Sequence, residues 1–554
     1  MRRLVGLILL ILVCIGTGSP FMITEFCPDP YLHDDADEYI VLSGNGSLEG
    51  ITVSDGRGGF RFPPGTSING TVTVARDGPA FHESHGIYPD FEWLDYSPQV
   101  SDIIPGDTLR LANNRDMLIL YDNGQLIQNV TWPGDVSSRE GQVHYLRDGV
   151  WDIRPLMLGQ SRFEPAVFSD VNVTAFVSPD SSRRVFLQAV DAATYEILCN
   201  VYEFSSPDIT QSLIAARKRN VDVKILVEGG PVGGISSEEN AALWSVNQSG
   251  IPLYAMAPSK GEHAPYRYDH AKYLVIDQRA VLLTSENFKY SGFPPEGWIG
   301  NRGWGVYLED PGLASYFTTV FLSDLNDNSV KPYAGVSGNP EPAPSMAHNM
   351  EFPAQQFTGA SVRPVIAPDT SREITDMINS AATSIEIEQA YITNETPVAL
   401  NPYLAAAINA SRRGVCVRVL LDSYWYNTED PADNDEMAAL INSIAYTDHL
   451  PLEARCADLT TNELDKIHNK GVIVDDQKVL ISSINWNSNS PNFNREAGVI
   501  IDHPGVALYF RNIFDDDWAP AVISPRSGFD YQKFAIVIGV IVLLLVLYYR
   551  RNIR

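Results

Sequence analysis

The sequence predicts a duplicated, two-lobed α/β fold, preceded by an immunoglobulin-like β-sandwich and followed by one C-terminal transmembrane helix. Three observations carry this reading: an order-preserving internal repeat between residues 171 and 520, short β-like runs broken by turn residues between 22 and 133, and an uncharged apolar run near the end. A chain of 554 residues exceeds one ordinary core, so two or three domains are expected. An apolar fraction of 44% with 10% aromatics belongs to a folded protein. The formal charge of −28 argues against general adhesion to nucleic-acid phosphate, while leaving room for a local basic pocket.

The N-terminus, "MRRLVGLILLILVCIGTGSP", has two arginines, an apolar run and then Gly16, Thr17 and Gly18. It reads as a secretory signal over 1–18, with an uncleaved anchor as the alternative. Residues 534–549 form the apolar C-terminal run, followed by Arg550, Arg551 and Arg554. Positive flanks stay on the cytoplasmic side, so the expected location is the cell membrane, single-pass, with the body outside. Seven N-x-S/T sequons fit an exported glycoprotein. Past the signal stand Cys27, Cys199, Cys416 and Cys456, with Cys416 and Cys456 the first-choice disulfide. His82 and His85 in "FHESHG" read as loop residues rather than ligands, and no cysteine–histidine spacing marks a zinc site.

Residues 22–133 carry "DEYIVL", "SDGRGGFRFPPGTSI" and "LILYDNGQLIQNVTW", with turn signals about every ten residues, the pattern of a β-sandwich. With "ITEFCPDP" ahead of them, these phrases resemble the lamin-tail domain, with an insertion near 81–106. That resemblance implies an immunoglobulin-like sandwich serving as an accessory module that docks an unknown partner.

From residue 171 the chain repeats itself at an offset of 189 to 198. "FVSPDSSRR" answers to "VIAPDTSRE", "HAKYLVIDQRAVLLTSEN" to "HNKGVIVDDQKVLISSIN", and "NRGWGV" to "NREAGV". Apolar β runs alternate with helical stretches in each half, giving a layered α/β fold in two copies, 171–328 and 361–520. The Pro-rich stretch within 329–360 is the linker between them.

Each copy contains a strand, a turn and a returning strand. Two-residue turns at Gln278–Arg279 and Asp476–Gln477 would pair His270 with Asn287, Lys272 with Ser285, His468 with Asn485 and Lys470 with Ser483. A histidine and lysine two apart point to the same side of a strand. Two copies of this set, in an acidic chain, call for an anion between them. Lysine ammonium and asparagine amide groups would hold a phosphodiester while one imidazole attacks phosphorus and the other protonates the leaving oxygen. No metal is needed. Asp277 and Asp475, seven residues after the histidines, fall near the turns, where accepting amides or pairing across the halves fits better than chemistry.

The doubled H-x-K-x4-D motif, each followed by a Ser-x-Asn, resembles the phospholipase D superfamily. It stands as His270, Lys272, Asp277, Thr284, Ser285, Asn287 and as His468, Lys470, Asp475, Ser482, Ser483, Asn485. The resemblance implies one active site between two lobes of a monomer and a covalent phosphohistidine. It makes His270 the nucleophile and His468 the general acid, and places Lys272, Lys470, Ser285, Asn287, Ser483 and Asn485 on the phosphate. It also implies that Glu496 orients a catalytic histidine. Gly303 occupies the matching place in the first copy, leaving Glu296 or Glu286 as candidate substitutes. Phospholipid and nucleic-acid substrates both fit this reading. An extracellular nuclease in particular, or a catalytically silent surface protein that only binds, are the alternatives. Trp298, Trp304, Trp425, Trp486, Tyr266 and Tyr268 are candidates for lining a groove, or else ordinary core aromatics.

Overall fold

The computed structural model describes residues 21–519, apart from 95–96, 114–115, 133–138, 153, 155, 260–261, 397–398 and 430–432. The expected signal at 1–18 and the apolar run at 534–549 lie outside the described residues. Among the described residues, no helix is long and apolar enough to cross a membrane.

The N-terminal region is two sheets. Met22–Cys27, Tyr39–Ser47 and Ser67–Ala75 belong to one, and Ile51–Ser54, Gly59–Arg61, Asp116–Asp122 and Gln125–Trp132 to the other. Period-two alternation turns Ile40, Leu42, Val72 and Val74 inward, where they meet Val53, Leu118, Leu120 and Val130 in one core. Two expectations change here. Gln142–Arg147 and Leu156–Met157 extend the first sheet, so the β-rich region does not stop at residue 133. His82 and His85 lie on a helix, Gly78–His85, because Asp77 caps it by accepting from the Ala80 N–H at 3.0 Å.

The repeated halves share one fifteen-stranded sheet, joined at its centre by the antiparallel strands Phe168–Ser178 and Gln355–Ala367. In the first lobe Glu196–Val201, Asp222–Glu228 and Leu253–Met256 run parallel, and Lys272–Ile276, Ala280–Thr284 and Gly303–Glu309 follow as an antiparallel meander. The second lobe repeats this with Ser384–Gln389, Cys416–Leu421 and Leu452–Cys456, then Lys470–Val474, Lys478–Ser482 and Glu496–Asp502. The central strands are covered on both faces, which is why "YLVI" and "VLLT" are unbroken apolar runs. One face packs against each lobe's own helices. The other builds a core common to both lobes, in which Leu313, Phe317 and Phe321 of the helix Pro311–Leu325 meet Phe510, Ile513 and Phe514 of Pro504–Trp518.

The hairpin register differs from expectation by one residue. Ile276 pairs with Ala280 and Val474 with Lys478, so each turn holds three residues, not two. Asp277 and Gln278 have φ of 52° and 48°, and Asp475 and Asp476 of 55° and 51°, a left-handed turn that aspartate tolerates. Lys272 and Lys470 therefore lie across from Thr284 and Ser482, rather than from Ser285 and Ser483. The expected disulfide is also absent: Cys416 and Cys456 are free thiols. They sit at opposite ends of neighbouring parallel strands, where Leu421 is the partner of Cys456. Five residues of strand separate them by about 16 Å, beyond a disulfide's reach.

Candidate active site

The two histidines are held by the opposite lobe. The His270 N–H donates to the Arg495 carbonyl at 2.8 Å, and the His468 N–H to the Arg302 carbonyl at 2.9 Å. Arg302 and Arg495 are themselves pinned beneath the site. Arg302 donates to Asp517 at 2.7 and 3.1 Å and to Asp180 at 3.0 Å; Arg495 donates to both oxygens of Asp324 at 2.9 Å. Each arginine thus binds a carboxylate on the other lobe's closing helix. The pseudo-twofold extends upstream, since Phe352 lies under Arg302 at 5.6 Å and Phe163 under Arg495 at 5.8 Å.

Glu496, buried at the start of its strand, faces His270, whose Nδ1 stands 2.8 Å from one carboxylate oxygen. Ser490 and Asn494 donate to its other oxygen. Burial works against its charge, but His270 and Lys272 hold the carboxyl below its usual range. Glu496 therefore serves the histidine of the other copy. The missing first-copy glutamate is replaced by Glu286, whose Oε1 stands 3.3 Å from His468 Nδ1. Asn301 donates to Glu286 at 2.8 Å, in the sequence position that Asn494 occupies for Glu496. Gly303 is what makes this possible, because a Cβ there would stand 2.3 Å from Glu286 Oε1. The carboxylate has moved from one strand to its neighbour and the glycine leaves the space. Glu296, the other candidate, is exposed and takes no part.

The two pairs differ electrically. Burial lowers the His270 imidazole below its ordinary value, with Glu496 opposing. Burial and the charges of Lys470, Lys466, Lys272 and His270 push His468 much further down. Burial raises Glu286 to about 7, with Asn301 and the lysines opposing. At neutral pH the His270 pair holds an ionised carboxylate, while Glu286 titrates in that range and can carry a proton beside His468.

Lys272 and Lys470 are fully buried, each donating to the carbonyl of its own histidine, at 2.6 and 2.5 Å. Burial brings Lys272 down to about 8 and, with Lys272 and Lys466 adding repulsion, moves Lys470 well below its ordinary value. An anion arriving here favours the charged form of both. The Asn485 side chain keeps an unpartnered buried Oδ1, and Asn287 Nδ2 donates to Glu203 at 2.6 Å. The serines depart from expectation. Ser285 Oγ accepts from the Trp304 N–H at 3.1 Å and Ser483 Oγ from the Ala497 N–H at 3.0 Å, so both fasten the neighbouring strand.

Asp277 and Asp475 lie at the far ends of their strands from the histidines. Asp277 accepts from the N–H groups of Thr194, Tyr195 and Glu196, and Asp475 from those of Ala382, Thr383 and Ser384. Their part in the motif is to lock the hairpin to the adjacent strand, the amide-accepting role expected from their place near the turns and not a catalytic one. Trp304, Trp486 and Tyr266 are core, Tyr266 by accepting from Arg495. Trp425 is 59% exposed, and Tyr202, absent from the sequence reading, packs edge-on to His270 at 4.5 Å. Among the described residues, no group of histidine, cysteine, aspartate and glutamate side chains could hold a metal ion.

A family model described as "Cardiolipin synthase, PLD-like domain" matches residues 186–325 and 374–518, together a little over half of the chain. No curated protein matches. Among solved structures, the phospholipase D family member Nuc from Salmonella typhimurium is 29% identical, covering 31% of this chain and 99% of its own, with a TM-score of 0.25. Phosphatidylserine synthase from Haemophilus influenzae is 14% identical, covering 62% and 85%, with a TM-score of 0.47. NucT from Helicobacter pylori is 19% identical, covering 28% and 95%, with a TM-score of 0.23.

Proposed function

The chain belongs to the family of phospholipase D-like domains of the cardiolipin synthase type, and from that premise we propose that it cleaves or transfers phosphodiesters through a phosphohistidine on His270. The observation that carries this is the pair of crossed carboxylate–histidine contacts beside two fully buried lysines. Glu496 accepts from His270 Nδ1–H, which fixes the tautomer and leaves the Nε2 lone pair for phosphorus. Lys272, Lys470 and the asparagine amides hold the non-bridging oxygens.

In the first step the His270 Nε2–phosphorus bond forms as the bond to the leaving oxygen breaks, and His468 supplies that oxygen's proton. Substrate anion offsets the lysine charges that depress His468, so the proton stored on Glu286 passes to the imidazole. In the second step water, or an acceptor alcohol, attacks phosphorus, gives its proton to His468 and frees His270. A single chain supplies the whole site, so a monomer suffices. The expected anchor at 534–549 would hold this site outside the membrane, supported by the arginines that follow it; the lamin-tail likeness supports a docking role for the β-rich region.

Turnover of bis(p-nitrophenyl) phosphate in the presence of EDTA tests this, and its absence in the wild-type protein would contradict the reading. The pH profile on an alkyl diester, whose alkoxide leaves only with a proton, adds a sharper check. Above about 7 Glu286 loses its proton, the pair has none to give, and turnover falls. Below the lowered His270 value the nucleophile is protonated, and turnover falls again. Glu286→Gln is expected to abolish the alkaline limb near 7 and lower kcat about 100-fold. Gly303→Ala, which displaces the same carboxyl, should reproduce both effects. An unaltered profile in both variants would remove Glu286 from the proton path.

A further inference from the structure

The rim on the His270 side carries two exposed arginines from different parts of the chain. Arg139 comes from the β-rich region and Arg267 from the first lobe, and their guanidinium groups lie over one ring of the second lobe, Phe493, at 4.7 and 5.6 Å. Arg267 also donates to Asn489, and its N–H to the Phe493 carbonyl at 2.7 Å. Phe493 closes the helix turn begun by Ser490, which donates to Glu496, and Arg267 stands three residues before His270. Both cations therefore lie on the segment that leads to Glu496, without touching that carboxylate. Among the described residues neither Arg139 nor Arg267 forms an ion pair, whereas Arg147, Arg154, Arg162 and Arg183 each face a carboxylate. Two like charges held together in a chain of −28 are suited to an anion.

The His468 side carries a different surface. The turn Trp425–Asn427 exposes Trp425 by 59% and Tyr426 by 44%. It is rigidly placed: Asn427 donates to Asp422 at 2.8 Å, and the other Asp422 oxygen accepts from the Ile467 N–H at 2.7 Å, one residue before His468. Lys466 donates to the Tyr426 hydroxyl at 2.9 Å. Cations on one flank and flat aromatic faces with a lysine on the other are what a single nucleic-acid strand requires.

We infer that Arg139 and Arg267 form a second phosphate subsite, occupied by the phosphate next to the scissile one in a single-stranded nucleic acid, while a base across the cleavage point stacks on Trp425. This rests on the phosphodiesterase reading above. It also gives the β-rich region a direct part in substrate binding. A bilayer would face the whole acidic body, of formal charge −28. A short strand meets mainly the cations within a Debye length, about 8–10 Å.

The test compares a dinucleotide with one phosphate, a trinucleotide with two, and bis(p-nitrophenyl) phosphate, using the full chain, Arg139→Ala and Arg267→Ala. The wild type is expected to show kcat/KM about tenfold higher on the trinucleotide than on the dinucleotide. Each variant should lose about tenfold on the trinucleotide and at most about twofold on the two single-phosphate substrates. Arg139→Lys should recover part of the loss. The salt slope on a longer single strand should fall by about 0.7 per arginine removed. Equal losses on all three substrates, or none on the trinucleotide, would overturn the subsite. An arginine-dependent preference for cardiolipin over phosphatidylglycerol vesicles, with none between the nucleotides, would overturn the strand as its ligand. Wild-type protein inert towards bis(p-nitrophenyl) phosphate would instead remove the underlying phosphodiesterase reading.

Discussion

His270→Ala is expected to lower steady-state turnover of bis(p-nitrophenyl) phosphate by about 10⁴-fold or more, and His468→Ala by about 10²- to 10⁴-fold. The two losses should differ in form. Nitrophenolate leaves without help from an acid, so the His468 variant can still form the phosphohistidine once. It then stalls, because nothing takes the proton from the attacking water. Rapid mixing should therefore show a burst of up to one nitrophenolate per protein with His468→Ala and none with His270→Ala. A burst in the His270 variant alone would exchange the two roles. The asymmetry has a structural source: ionised Glu496 supports a histidine that must carry positive charge in the covalent step, and Glu286, raised by burial into the neutral range, supports one that must deliver a proton.

Arg495→Ala is expected to destabilise the fold by about 3–5 kcal/mol. The guanidinium is fully buried and spans the lobes, bonding Asp324 on the helix Pro311–Leu325 and the Ala367 carbonyl at the end of the central strand. Removing it leaves Asp324 and Asp369 buried without their counter-charge. Urea unfolding of Arg495→Ala, Asp324→Ala and the double variant measures the effect. The double variant should cost clearly less than the two single losses added, because the stranded carboxylate is gone. A change below about 1 kcal/mol for Arg495→Ala would show that the lobes are held by their shared apolar core alone.

Much of the site could be read in the sequence because chemistry and duplication reinforce each other. His270 and Lys272 recur as His468 and Lys470 at one offset, and alternation along a strand puts each pair on one face. What could not be read depends on geometry between strands. The hairpin register turned on whether Asp277 and Gln278 adopt left-handed backbone, which many turn sequences permit. That one-residue difference takes Ser285 and Ser483 off the positions across from Lys272 and Lys470, and their hydroxyls accept from the neighbouring strand. Glu286 was legible only as one of two candidates, since nothing in "SEN" tells that its side chain crosses to the space above Gly303. Arg302 and Arg495 lay within the repeated "NRG" and "NRE", but their partners Asp517 and Asp324 are on helices that exchange between lobes. Neither the repeat nor helical periodicity reveals that exchange. The Cys416–Cys456 pairing failed for a simpler reason: strand neighbours are not level with one another.

The most direct test of two histidines sharing one phosphorus, with His270 as the attacking group, is mass-spectrometric mapping of the covalent intermediate. Full-length His468→Ala is mixed with bis(p-nitrophenyl) phosphate, quenched in alkali to preserve phosphohistidine, and digested. The expected result is a nitrophenyl-phosphate adduct on His270 and on no other residue. Substrate turnover without any histidine adduct, or an adduct confined to a histidine other than His270, would contradict the account.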